Sequence, residues 1–372
     1  MLAAGHNSVL VRKTGRKGAN LGEGAVRMNA IAYPDGLQSN RRTPENHPSP
    51  PIFAVVVIGR NEGQRLVDCL KSLGPLAWNT VYVDSGSQDG SPAMAASMNA
   101  HVVRLDMREP FTAGRARNAG WRAALKNWPG LRFIQFIDGD CLLDGAWLDR
   151  AHGFMESRDD VAAVFGRRRE RRIDRSVYNA LCDREWDGAP GPVLECGGDV
   201  FMRVCALRDA GGYMSSLIAG EEPELCVRLR ARGWTIWRLE AEMTLHDADM
   251  TRIRQWWRRN ARAGYAFAEV STLHWASPFG IWRRNLWRSI GWGGILPAAL
   301  LAGFTLHPAA FGLLLLYPIQ MVRIAAREGR VSRQSWRNAF FDVAGKLAEF
   351  KGAVTFFANR ALGRRQRIIE YK

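Results

Sequence analysis

The sequence has no C-x-x-C pair. Its six cysteines, Cys69, Cys141, Cys182, Cys196, Cys205 and Cys226, are scattered singly. In a chain of 372 residues that argues against a disulfide framework and for reduced thiols in a cytosolic compartment. The opening "MLAAGHNSVLVRKTGRKGAN" lacks an apolar run ahead of its basic residues, so no secretory signal is expected. No internal repeat is apparent. Acids are scarce: 36 Asp and Glu against 52 Lys and Arg leave a net charge of +16. Such an excess suits a nucleic acid, an anionic membrane or a phosphorylated substrate. Lys, Arg, Asp and Glu are all missing between Ser289 and Val322.

What is present reads as four regions: a Gly-, Arg- and Pro-rich basic arm over 1–50, a folded α/β domain over 51–275, an apolar helical hairpin over 276–330 and a basic amphipathic tail over 331–372. "IFAVVVIG", Ile52 to Gly59, is a continuous apolar run of the kind buried on both faces of a sheet. A helix is expected over Glu62–Leu73, a strand over Thr80–Val83, a helix over Pro92–Met98 and another over Arg115–Leu125. Then "FIQFIDGDC" drives a strand at two acids, Asp138 and Asp140. Strands alternating with helices predict a mostly parallel sheet with helices on both faces. Ligands of such sheets sit at the carboxyl ends of the strands, where Asn61, Asp84 and Asp138 fall.

The second half is less regular. "GEEPELCVRLRARGW" has helical spacing, with Pro223 in the first turn and Gly233 at the end. "TIWRLEAEMTLHDADM" predicts a short strand and a loop carrying His246. "TRIRQWWRRNARAGYAF" is a basic helix whose paired tryptophans suit a membrane interface. The uncharged run breaks near His307–Pro308. Its first half would span roughly 25 Å as a helix, slightly short of a ~30 Å bilayer core. Arginines flank both outer ends, which places both on the cytoplasmic side of a membrane.

The segments "VVVIGRNEG", "VDSGSQDGS", "GRARNAGW", "FIDGD", "CGGDVFMRVCALRDAGGY" and "GEEPELCVRLRARGW" resemble, in that order, the motifs of family 2 glycosyltransferases. The resemblance covers about Ile52 to Ala268 and implies the GT-A fold, a Rossmann-like sheet that binds nucleotide sugars. The hairpin and the ending "IIEYK" are similar to membrane-associated bacterial members.

In that pattern D-x-D binds a divalent metal, so Asp138 and Asp140 are implied oxygen ligands for Mg2+ or Mn2+. His246 falls where several such enzymes place a third ligand. Asp84 matches the aspartate that meets the nucleobase. Asn61 and Glu62 match an "N-E" near base and ribose, and Arg117 and Asn118 an "A-R-N" that approaches the nucleotide. Gly197, Gly198 and Asp199 resemble the segment lining the sugar and acceptor pocket. "GEEPEL" resembles "G-E-D-x-D/E-L" with Glu222 where an aspartate is usual. The resemblance therefore implies Glu222 as the base, with Glu221 beside it as the other candidate.

The resulting expectation is an inverting, metal-dependent sugar transferase. It would take a UDP- or GDP-sugar to a lipid-linked or polysaccharide acceptor at the inner membrane, with its catalytic domain cytoplasmic. Two rivals are a nucleotidyltransferase acting on sugar phosphates and a non-enzymatic basic protein that binds membranes or nucleic acid. The first wants a phosphate loop that "IGRNEG" supplies poorly. The second wants a reader motif, and the arginines instead cluster beside the hairpin and in the tail, so no nucleic-acid partner is expected.

Overall fold

The computed structural model describes residues 51–328 and 332–364. The expected basic arm over 1–50 and the "IIEYK" ending lie outside the described residues. Nine strands form one sheet: β1 Phe53–Gly59, β2 Thr80–Asp84, β3 His101–Arg104, β4 Phe133–Asp138, β5 Cys141–Leu143, β6 Val161–Glu170, β7 Gly191–Val193, β8 Val200–Arg203 and β9 Thr235–His246. Their order is β3-β2-β1-β4-β8-β6-β9-β5, with β7 also on β9.

The sheet is mixed. β1 pairs in parallel with β2 and β4, and β2 with β3, as alternation with helices requires. β8 then enters antiparallel between β4 and β6, and β5 and β7 lie antiparallel on β9. β6 and β9 are parallel but register-shifted at three places. Such irregularities bend a strand and increase its twist, so this half of the sheet curls. The sequence reading missed these reversals because β5, β7 and β8 are three or four residues long. His246 is also displaced from expectation: it closes a 12-residue strand and does not lie in a loop.

The helices are α1 Gln64–Ser72, α2 Ser91–Ser97, α3 Ala113–Asn127, α4 Trp147–Glu156, α5 Val177–Glu185, α6 Val204–Asp209, α7 Glu221–Ala231, α8 Ile253–Leu273, α9 Arg283–Ile290, α10 Leu296–Leu306, α11 Leu316–Arg327 and α12 Arg333–Ala361. Alternate residues of β1 go to opposite cores. Val56 and Ile58 join Trp121, Leu225 and Leu229 of α3 and α7, while Val55 and Val57 join Leu66 and Leu70 of α1. Apolar on both faces, β1 is buried throughout its middle.

The tail does not lie free on the surface. α12 runs along α8, and small residues let the backbones meet: a Cβ on Gly264 would fall 1.9 Å from Glu349 O, and one on Gly352 1.9 Å from Ala261 O. Trp256, expected at a membrane interface, is instead 5% exposed and sits edge-on to Phe341 of α12, ring centroids 5.1 Å apart. Its apolar body is better buried against a helix than left at the surface.

Candidate active site

β4 delivers Asp138 to the carboxyl edge of the sheet, and its placement is fixed from two sides. The Asp138 backbone N–H donates to Asp199 Oδ1 at 3.0 Å, while Asp199 Oδ2 accepts from Thr244 Oγ1 at 2.8 Å. Asp199, 2% exposed, thus ties the end of β4 to β9. An aspartate holding two such bonds fixes the position of Asp138.

Arg117 of α3 is the positive centre. Its Nη1 lies 2.7 Å from Glu221 Oε1 and 2.8 Å from Glu222 Oε1, and its Nη2 is 3.0 Å from Asp138 Oδ1. Burial disfavours its charge, but Glu222, Asp138 and Glu221 outweigh that and hold its pKa well above the ordinary value. The guanidinium that the family pattern brings to the nucleotide here organises three carboxylates. Glu221 and Glu222 open α7, whose first-turn dipole favours negative charge. Even so, burial pushes the Glu222 carboxyl up to about 7, with the neighbouring Glu221 adding to the shift and Arg117 opposing it.

Gly198 forms the floor between these groups. A Cβ there would start 2.3 Å from Arg117 Nη2, 3.1 Å from Glu222 Oε1 and 3.3 Å from Asp138 Oδ2. Only glycine lets these groups approach the backbone so closely. Replacing Arg117 tests the centre. Arg117→Met keeps the bulk and strands three acids, and breaking a buried pair by removing one partner costs about 3–5 kcal/mol. Urea unfolding at neutral pH should show a loss of that order, shrinking as the pH falls and the stranded acids protonate. A loss below about 1 kcal/mol, the range of exposed ion pairs, would show that Arg117 does not hold the centre together.

Asp140 lies against the end of β9. The pairing of Cys141 with His246 sets the two side by side, and Asp140 Oδ2 is 3.5 Å from His246 Nε2. Among the described residues, Asp140, Cys141 and His246 have ligand atoms within 4.8 Å of one another. Burial, then the positive Arg168, Arg259 and Arg65, push the His246 pKa well below its usual value, so the ring is neutral and able to ligate. Its buried Nδ1 has no hydrogen-bond partner among the described residues, lying 3.7 Å from Glu170 Oε2. The Cys141 thiol is pushed well up by burial and is held protonated. Carboxylate and imidazole donors fit a small divalent cation. Asp138 is engaged differently, by Arg117 and by Arg168, whose Nη2 lies 3.4 Å from Asp138 Oδ2.

The other expected donor contacts are built into loops. Asp84 accepts from the N–H groups of Gly86 and Ser87, each at 3.1 Å, making the local turn that aspartate favours. Asn61, at φ 55°, accepts from Gln88 N at 2.8 Å and so closes the same loop. Glu62 pairs with Arg65 at 2.8 Å, one helical turn on. Asn118 is fully engaged: its amide donates to Tyr213 O and Ser215 Oγ and accepts from Trp121 Nε1 and Tyr213 N. It clamps the segment before α7 and is 3% exposed.

Sequence reasoning missed Arg168 and the segment Asp183–Trp186. Arg168 Nε lies 3.5 Å from Asp199 Oδ2, and its guanidinium sits 4.9 Å from the Trp186 ring. Trp186 in turn meets His246 edge-on at 4.8 Å. Just before it, Asp183 pairs with Arg167 at 2.8 Å, Arg184 with Asp342 of α12 at 2.5 Å, and Glu185 with Arg259 of α8 at 2.5 Å. One signal was available: in "GRRRE" alternate side chains must face opposite sides of a strand, so one arginine had to point inward.

The model of glycosyl transferase family 2 matches residues 54–188. Pre-mycofactocin glycosyltransferases of two Mycobacterium tuberculosis strains, CDC 1551 / Oshkosh and H37Rv, are each 26% identical over 251 residues, 61% of this chain. The match spans only 50% of the length of those relatives. A mannosyltransferase from Pyrobaculum calidifontis, solved with GDP-Man and Mn2+, superposes with a TM-score of 0.59 at 16% identity. The superposition covers 84% of this chain and 89% of that one, and at such identity the likeness is one of fold.

Proposed function

We propose, from the premise that residues 54–188 belong to glycosyl transferase family 2, that this chain moves a sugar from a UDP- or GDP-sugar to an acceptor hydroxyl with inversion. The observation that carries this reading is the close approach of Arg117, Glu222 and Asp138 around Gly198 at the carboxyl edge of the sheet, with Glu222 Oε1 and Asp138 Oδ2 both within 3.3 Å of where a Cβ would start. It sets a candidate base beside a candidate diphosphate-side acid.

In this mechanism Glu222 takes the proton of the acceptor hydroxyl as its oxygen bonds to the anomeric carbon. The bond from that carbon to the donor phosphate breaks on the opposite face, and the nucleoside diphosphate leaves with the electron pair. Asp138, Asp140 and His246 would hold Mg2+ or Mn2+, which when bound supplies charge neutralisation at the leaving diphosphate. Arg117 keeps the three carboxylates together before substrate arrives, and Asp199 keeps β4 in register with β9. Asp84, Asn61 and Glu62 shape the loop at the ends of β1 and β2, where the nucleoside would lie.

The acceptor in this proposal is lipid-linked or a polysaccharide, met at the cytoplasmic face of the inner membrane. The support is an apolar hairpin held against α12, with Leu301 74%, Leu315 61% and Ile319 59% exposed. A soluble monomer rarely leaves such a surface open. The test is calorimetric titration of the purified full chain with a panel of UDP- and GDP-sugars, with Mn2+ and after chelation. Metal-dependent binding of one donor is the expected result, and binding of none would overturn the reading.

A further inference from the structure

We infer that the hairpin from Leu296 to Tyr317 enters one leaflet of an anionic bilayer, turns back at His307 and does not cross. This rests on the membrane attachment proposed above and adds how the membrane is engaged.

The first leg is too short. Arg283 to Leu306 is one helix, with a π-turn over Gly291–Ile295. Its lower part belongs to the protein. A Cβ on Gly293 would fall 2.1 Å from Lys346 O, and one on Gly294 2.4 Å from the Phe350 ring. Ser289 is fully buried beside Glu349. Only the stretch from about Pro297 stands clear. Ten residues at 1.5 Å each reach about 15 Å, half of a ~30 Å hydrocarbon core.

The second leg by itself could span. Ala309–Arg327 has mean hydropathy 1.6 and is 11% buried. However, it is tied to the first leg. A Cβ on Gly303 would fall 2.1 Å from Ala310 Cβ, and Tyr317 Oη donates to Trp292 O at 3.0 Å. The legs therefore reach the same depth, and Ile324 and Ala325 return to the protein against Ala339. Trp292 and Tyr317, ring centroids 6.0 Å apart, sit together at the base, where amphipathic rings favour the headgroup level.

The tip is built for a medium without water. In hydrocarbon every backbone donor needs an internal acceptor. His307 N–H donates to Gly303 O at 2.9 Å, Ala310 N–H to His307 O at 3.1 Å and Ala309 N–H to His307 Nδ1 at 3.1 Å. Pro308 has no N–H to satisfy. The side chains next along the second leg, Leu313, Leu314, Leu315 and Leu316, are all exposed. At the other end arginines flank both legs, Arg283, Arg284 and Arg288 on α9 and Arg323 and Arg327 on α11. A single charged end and an apolar tip fit one face of an anionic bilayer.

The test labels single cysteines on the full chain bound from outside to sealed vesicles of phosphatidylcholine and phosphatidylglycerol. Cys205, the exposed cysteine among the described residues, is first replaced by serine. Ala309→Cys and Leu314→Cys report the tip and second leg, and Ala361→Cys reports the protein surface. An impermeant maleimide is supplied outside or trapped inside. Expected is outside labelling of Ala361→Cys, and labelling of the other two only after detergent. Labelling of Ala309→Cys or Leu314→Cys from inside would mean crossing and would overturn the inference. Labelling of both from outside, with the protein still bound after a carbonate wash, would mean a hairpin lying on the surface and would also overturn it. Release by carbonate would instead overturn membrane attachment itself, and donor binding in the calorimeter would be untouched by any of these outcomes.

Discussion

Glu222→Gln is expected to retain donor binding and to lose turnover by on the order of 10²–10⁴-fold, the usual contribution of a general base. The substitution keeps the shape and removes the proton acceptor. Two observations choose Glu222 over its neighbour. Glu222 Oε1 lies against Gly198, 3.1 Å from where a Cβ would be and on the side of Asp138, whereas Glu221 Cβ lies beneath the start of α3, 3.4 Å from where a Cβ on Gly114 would be. The Glu222 side chain is also the more open, at 12% against 5%. Adjacent residues of a helix diverge by about 100°, so only one readily faces Gly198 and Asp138. The pH profile gives an independent check. With its carboxyl raised to about 7 by burial and by Glu221, Glu222 is protonated below that pH and cannot accept a proton. The rate of transfer should therefore rise with pH through about 7 and level off above it. Glu221→Gln should lose less and, by removing the neighbouring charge, move that limb to lower pH. If Glu221→Gln is the dead variant while Glu222→Gln still transfers sugar, the roles are reversed.

Asp140→Ala should cost the chain its metal-dependent hold on the donor. Losing a partner of a metal ligand typically weakens binding about 10–100-fold, so losing a ligand should exceed that. Asp140 is buried and faces the neutral ring of His246 across 3.5 Å, so the variant removes one of two adjacent donors. Calorimetry with a nucleotide sugar, with Mn2+ and after chelation, should show the metal-dependent part of the affinity vanish. Circular dichroism and urea unfolding serve as fold controls. Unchanged metal-dependent binding in a folded Asp140→Ala protein would remove this aspartate from the metal site. Asp138, held by Arg117 and Arg168, calls for its own variant, because its loss also disturbs an ion cluster.

The sequence by itself determined the parallel half of the sheet, the acids at its edge and the uncharged hairpin with its break at His307. These features are local. A valine-rich run, a D-x-D after a strand and a 34-residue stretch from Ser289 to Val322 without charge are each legible in a window of residues. The tertiary structure alone decided the reversed strands, because β5, β7 and β8 are too short to carry a period. It alone decided what the acids are paired with. Arg117 meets Glu221 across 104 positions of sequence, and Arg168 meets Asp138 across 30. The family pattern picked out Asn118 and Arg117, but not that one clamps a loop and the other gathers three carboxylates. The same holds for the tail: its amphipathic spacing was legible, but not that α8 would cover one face through Gly264 and Gly352. The physical reason is common to all of these cases. Periodicity and turn chemistry act over a few residues, whereas ion pairs and helix–helix contacts depend on which distant segments the packed core brings together.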